Sequence, residues 1–228
     1  MKKYLVGFVS SILVLGLSAC STEPKAAVST VAGAEDLQII AKVKAPEGSL
    51  AGATLDPSEY LKGRFEDTVI GAVKGEISGV EYTSLELLAG MDEPFSISMA
   101  QTIMTIKVQG STFGASGEIK VATSGGYLSP TVEGIYGRPE GDLGTVGVIE
   151  YETAGGSEPP VIGQTVIMFL QKSGKELARV APYTVTGSSF GRFTLEEETG
   201  VYSRKIEGLG DSAKFSEFEL VGDALETR

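Results

Sequence analysis

The chain has no histidine, no tryptophan and no asparagine, and it carries a single cysteine, Cys20. Each absence removes a class of chemistry. Without histidine there is no imidazole base for a Ser-His-Asp triad and no imidazole ligand for zinc or a related transition metal. With one cysteine no disulfide can form within the chain, so stability must come from a buried apolar core. Aromatic residues make up only 7%, and no Trp is present to form the stacking platforms that sugar-cleaving clefts commonly add to their paired carboxylates. Basic residues are outnumbered, 19 against 30 acidic, for a net charge of −11. An exterior of that sign repels phosphate backbones and anionic lipid headgroups, which sets nucleic acid aside as a partner. No cofactor and no metal is expected.

Long apolar runs are equally scarce, and the most extended one stands at the start. Lys2 and Lys3 precede Leu5 to Leu17, a stretch interrupted only by Gly7, Ser10, Ser11 and Gly16. It falls within the ~7–15 residues of an export signal and short of the ~20 a membrane-spanning helix requires. The stretch ends in Leu17-Ser18-Ala19-Cys20, which resembles the lipobox of bacterial lipoproteins. That resemblance implies a signal peptide at 1–19, a diacylglycerol on the Cys20 sulfur and cleavage ahead of it. The alternative is an ordinary signal cut after Ala19, leaving a free thiol in an exported protein. Several acyl chains on Cys20 would suffice for stable anchoring to a membrane, where one alone is marginal. The expected address is the bacterial cell envelope, on the outer face of the cytoplasmic membrane or on the outer membrane. Ser21 is compatible with the latter. Loss of Lys2 and Lys3 leaves 17 basic residues against 30 acidic, a net charge of −13 for the mature chain.

What remains is rich in turns and β-formers, with 30 Gly among frequent Val, Ile and Thr. Residues 20–35 are small, polar and aperiodic, and read as a lipid-anchored flexible tether. Residues 36–210 read as a single β-rich domain. The acidic tail 211–228 places Phe215 and Phe218 at helical spacing, consistent with a short helix. Within the domain a strand is expected at 37–43 and a loop at 46–53. Asp56-Pro57-Ser58-Glu59 has the form of a helix start, with Asp as N-cap and Pro at the first helical position. Two-residue alternation then marks strands at 68–76, 101–109 and 118–122, with an apolar phase that slips at Leu85 and Leu87, as at a bulge or strand end. Further strands are expected at 146–152, 165–171, 177–185, 191–195 and 201–203. The unbroken run Val166-Ile167-Met168-Phe169-Leu170 suits a strand buried on both faces.

This many short strands predicts a barrel or a sandwich. The order of a short helix, a D-x-V-I-G-x-V-x-G strand from Asp67, then T-I-x-T-I-K-V, G-E-I-K-V and I-G-Q-T-V-I-M-F-L resembles the tissue-inhibitor-of-metalloproteinase-like (netrin-like) domains, over about residues 56–195. The resemblance implies a mainly β, OB-like Greek-key barrel with a short helix before the first barrel strand; a β-sandwich is the alternative. The chain departs from the animal families in lacking every disulfide. Their inhibitory chemistry uses an N-terminal Cys, which here would be acylated, so no inhibitory role carries over.

Candidate chemistry is sparse. Gly187-Ser188-Ser189-Phe190-Gly191 fits G-x-S-x-G, but a serine elbow needs a base, and no His and no S-x-x-K occurs. A Gly/Ser turn is the plainer reading. Asp92-Glu93 and Glu196-Glu197-Glu198 lack the spacing of a calcium loop. Gly208-Leu209-Gly210 lacks the strand-helix context of a phosphate cradle. The Gly-rich segment 124–144 carries Tyr127, Tyr136 and Arg138, residue types enriched in binding hot spots, and is the candidate binding loop, with a plain surface loop as the alternative reading. The function expected is a non-catalytic binding or interaction module with a protein, peptide or glycan partner in the envelope. An envelope hydrolase using Ser189 or paired carboxylates, or a structural or assembly factor, are the alternatives.

Overall fold

The structure, a computed structural model, describes residues 37–44, 69–89, 95–153, 158–187, 190–204, 213–216, 218–221 and 224–227. Cys20 with its lipobox, the tether, the loop at 46–53, the helix expected from Asp56, Asp92-Glu93, Ser189 and Gly208-Leu209-Gly210 lie outside these residues.

The described chain is mainly β. In chain order the strands are β1 (Ile39–Val43), β2 (Val69–Ala89), β3 (Phe95–Ser111), β4 (Glu118–Ser124), β5 (Gly126–Leu128), β6 (Val148–Tyr151), β7 (Thr165–Lys172), β8 (Tyr183–Val185), β9 (Arg192–Glu196), β10 (Val201–Arg204), β11 (Ala213–Ser216), β12 (Phe218–Val221) and β13 (Ala224–Thr227). Five of them close on themselves in the order β7-β2-β3-β4-β8, with β8 returning to β7. Every barrel pairing is antiparallel except β4 with β8. Counted along the chain as first to fifth, the barrel strands run 1-2-3-5-4-1, an OB-like Greek-key barrel.

Closure depends on curling β2, a strand of 21 residues. Its register shifts fall at Val69/Gly71 against β7 and at Lys74/Gly75 and Ile77/Gly79 against β3. Each shift abuts a glycine, the residue that lets a bulge bend a strand. At Gly75 a Cβ would lie 2.6 Å from the Lys107 carbonyl oxygen and 2.7 Å from Ile106 Cγ2, so the backbones approach closely only because it is absent. The interior is filled by Val73, Ile77, Met104, Ile106, Val121 and Leu170, all fully buried. Each such side chain contributes about 1.5–3 kcal/mol relative to exposure.

Strand β7 is buried on both faces, as its apolar run predicts: Val166 through Leu170 have no exposed surface. Val166, Met168 and Leu170 belong to the barrel interior. On the other face the Phe169 ring meets Phe193 of β9 edge to face, centroids 5.9 Å apart. Along the edge of β7 opposite β2, β8 pairs one half and β9 the other. Between them the chain loops out and back. Thr186 N–H donates to the Phe169 carbonyl, Phe169 N–H donates to that of Gly191, and Gly191 N–H donates to that of Thr186. A Cβ on Gly191 would lie 2.9 Å from the Thr186 oxygen. The G-x-S-x-G segment therefore joins strand to strand, unlike the strand-to-helix elbow of a hydrolase.

Several expectations need correction. The segment 177–185 is not one strand: Leu177–Arg179 form a 3-10 turn and only Tyr183–Val185 pair. Ala178 N–H donates to the Gly174 carbonyl, and Pro182 has no N–H for a ladder. Strand β5 lies within the segment read as a loop. The slip at Leu85 and Leu87 is not a strand end, because pairing continues unbroken to Ala89. It arises because both faces are covered. Leu85 packs with Ile103, Ala122, Leu177 and Ala181, whereas Tyr82 packs with Tyr127 and Val148. The tail read as a short helix contributes strands instead: β11 pairs antiparallel with β10, and β12 with β13. So short a segment nucleates a helix poorly, and the edge of β10 offers ladder bonds at once.

The far halves of β2 and β3 extend past the barrel. A second, three-stranded sheet in the order β1-β6-β5, parallel at β1–β6, covers them. Ala100 of β3 packs there with Leu128, Ile135, Ile149 and Tyr151.

Candidate functional site

The seam between barrel and small sheet holds two adjoining clefts. The larger, about 270 Å³, is lined by Lys42, Tyr82, Thr102, Gly126, Tyr127, Glu150, Tyr151, Glu152, Thr153, Glu158, Pro159 and Pro160. The smaller, about 230 Å³, is lined by Val43, Lys44, Met99, Ala100, Ser124, Gly125, Tyr136, Gly137, Tyr151 and Glu152. Tyr151 and Glu152, at the end of β6, line both.

The floor of the larger cleft follows from strand pairing. Tyr82 lies opposite Thr102 in the β2–β3 ladder, so the two share a face. Gly126 of β5 sits against both: a Cβ there would lie 2.6 Å from Thr102 Oγ1 and 2.7 Å from Tyr82 Cδ1. Its φ of +125° is also one that side-chain-bearing residues rarely adopt. With no side chain in the way, β5 comes down onto Tyr82, and the next residue, Tyr127, meets its ring at 5.1 Å and 86°. Burial pushes the Tyr82 phenol up to about 12, with Tyr127 adding to the shift and Arg192 opposing it. Burial likewise raises Tyr127, with Glu150 adding. Both phenols are therefore protonated donors at neutral pH.

One wall is held from inside the protein. Arg192, the first residue of β9, is 7% exposed and donates to the Glu158 carbonyl, while its other terminal nitrogen lies 4.0 Å from Met104 Sδ. Burial pulls its pKa down to about 10, against the fields of Glu158 and Tyr82. At neutral pH it remains a cation. Its planar fork spans from the barrel core to the chain segment that forms the wall.

The other wall comes from β1 and β6. Lys42 and Glu150 are register partners, and their side chains pair at 2.7 Å. That bond, with the charge of Glu150, raises the Lys42 pKa. The Lys42 side chain is 60% exposed, so the pair contributes little to stability. Glu152 is different. It is half-buried, and no described group hydrogen-bonds or ion-pairs with its carboxylate.

The three residues of the candidate loop separate. Tyr127 is 5% exposed, lies on a strand and floors the larger cleft. Tyr136 is 56% exposed and lines the smaller one; its N–H donates to the Ser98 carbonyl and ties the loop to β3. Arg138 donates to the Pro130 carbonyl at 2.8 Å and braces the loop from within. Tyr82, Lys42, Glu152, Glu158 and Arg192 escaped the sequence reading. Tyr82 was legible only as an apolar position. Arg192, a charge beside an apolar strand run, was a local signal of a polar group turned inward. Among the described residues no cluster of three potential metal ligands occurs, and no helix is long and apolar enough to cross a membrane.

No protein-family model, no curated protein and no solved structure matches the chain.

Proposed function

We propose that this chain is an extracytoplasmic bacterial lipoprotein, anchored by lipid on Cys20, whose barrel and small sheet form a non-catalytic binding module. The ordered signal of Lys2, Lys3, the apolar run and Leu17-Ser18-Ala19-Cys20 supports the address. The observation that carries the binding role is the seam, where concave space, three tyrosines and a half-buried carboxylate converge on a rigid scaffold. The absence of His from the whole chain favours binding over a hydrolytic role for Ser189. The occupant is a protein, peptide or glycan of the envelope.

Two experiments test this reading. Metabolic labelling with an alkyne fatty acid should tag the wild-type chain and leave Cys20→Ser unlabelled and released from membranes; a labelled Cys20→Ser chain refutes the anchor. Cross-linking on intact cells should capture a partner with the wild type and lose it with Glu152→Arg, a change at the cleft that leaves the fold intact by circular dichroism. Equal capture by both moves the binding surface elsewhere.

A further inference from the structure

The larger cleft has a definite chemistry, and size is the first constraint. At about 270 Å³ it falls just below the ~300–1,000 Å³ of sites that enclose a drug-sized ligand. It therefore suits one side chain or a molecule of that bulk. Charge is the second. The lining holds Lys42 against Glu150, Glu152 and Glu158, and even with the buried Arg192 cation behind Glu158 the balance is negative. Lys42 pairs directly with Glu150 and reaches Glu152 through its field alone. The Glu152 carboxylate, half-buried and shared by both clefts, has no such partner among the described residues. A carboxylate that lines a cleft with no direct partner offers a charge-assisted contact to an incoming cation. The third constraint is the floor. Tyr82 and Tyr127 line it as a buried aromatic pair with little open surface, and aromatic rings accept both an alkyl chain and a nearby positive charge. Beside Glu152, Tyr151 is 6% exposed and its buried hydroxyl bonds to no described protein group.

We propose that the cleft takes an ammonium group on a short alkyl stem, as in a lysine side chain, with Glu152 as counter-ion and the Tyr82 and Tyr127 rings against the stem. This rests on the reading of the seam as the binding site and names its ligand class. An anion would meet the net negative lining, and a neutral alkyl group would leave Glu152 without a direct partner. The smaller cleft, with Val43, Met99 and Ala100 beside Tyr151 and Glu152, would receive the residue next to the lysine if the ammonium is borne by a peptide.

The test uses the full chain in mild detergent, followed by amide chemical shifts. Nα-acetyl-lysine N-methylamide should shift the amides of 126–128 and 150–153 saturably. The norleucine analogue, with nearly the same stem and no charge, should bind at least about tenfold more weakly, as expected for loss of a charge-assisted contact. Glu152→Gln should weaken the lysine probe by a similar factor and leave the norleucine probe unchanged. Butylammonium as tight as the lysine probe assigns the site to free amines; a several-fold advantage for acetyl-Lys-Leu-amide assigns it to peptides. Either result supports the cation site. If the norleucine or an acetyl-glutamate probe shifts the same amides as strongly, the cation inference falls while the cleft stands as a binding site. If none of these probes moves them, the inference and the seam reading fall together.

Discussion

The Tyr82 and Tyr127 rings meet edge to face at 5.1 Å, one from a barrel strand and the other from the small sheet. That contact joins the two sheets at the mouth of the larger cleft. Tyr82 is 2% and Tyr127 5% exposed, so the pair is as much core as site. Replacing Tyr127 by Ala should cost about 3 kcal/mol, combining lost burial with the cavity left behind. Tyr127→Phe, which keeps the ring, should cost less than about 1 kcal/mol. Urea denaturation of both variants checks the ratio; equal losses would mean that the hydroxyl, not the ring, holds the sheets together.

Gly126 makes that contact possible. Any Cβ at this position meets Thr102 Oγ1 and Tyr82 Cδ1 inside 3 Å, and the backbone sits at φ +125°. Gly126→Ala should therefore destabilise by about 2–3 kcal/mol through overpacking and backbone strain together. It should also displace Tyr82 and so alter the cleft. Thermal unfolding gives the first effect, and loss of the Tyr82–Tyr127 ring-current shifts gives the second. A neutral outcome would show that β5 can lift away from β2 without cost.

The barrel was legible because burial imposes a pattern on each strand. The run Val166–Leu170 could be read as two-faced burial from composition alone, and the alternation at 104–109 followed from one covered face. Of the small sheet, the strands at 37–43 and 146–152 were legible, as β1 and β6, but their pairing and the third strand were not. Gly126–Leu128 is three residues long, and its strand character comes from pairing with β6, a tertiary effect with no local signal. The same holds for the site. Lys42, Tyr82, Tyr127, Glu152 and Arg192 lie on five different segments, and only the crossover of β1 onto β6 and the return of β9 to β7 bring them together. Tyr127 was selected as a loop residue and proves to be a core strand residue at the cleft floor. Chemistry by residue type located it; topology assigned its role.

Arg192 reaches from β9 to the Glu158 carbonyl and so fixes the wall that Glu158, Pro159 and Pro160 form. Arg192→Ala should cost about 3 kcal/mol, since it removes packed stem and donor together. Arg192→Met keeps an apolar body of similar length and should cost less than about 1 kcal/mol, because replacing a buried charge by a hydrophobe is often neutral. Yet the methionine variant has no donor for Glu158. Hydrogen exchange at Glu158 and Val161 should therefore quicken in Arg192→Met while global stability holds. Unchanged exchange would mean that the wall is held by other contacts.

The same buried groups set the response to alkali. The folded protein holds the Tyr82 phenol up at about 12 and also raises Tyr127 and Tyr151, in each case chiefly by burial. In the unfolded chain a tyrosine titrates near 10. The folded state thus prefers the protonated phenols. Their contribution is complete below pH ~10 and is lost as pH rises towards 12. Arg192 works in the opposite sense. Burial lowers it to about 10, so its desolvation weighs against folding below that pH and is relieved above it. Three phenols oppose one guanidinium, and the net expectation is falling stability between pH 10 and 12. Urea midpoints at pH 8, 10 and 11 should decline in that order, and Tyr82→Phe, with no proton to lose there, should decline less steeply. A midpoint that rises above pH 10 would show that relief of Arg192 outweighs ionisation of the tyrosines.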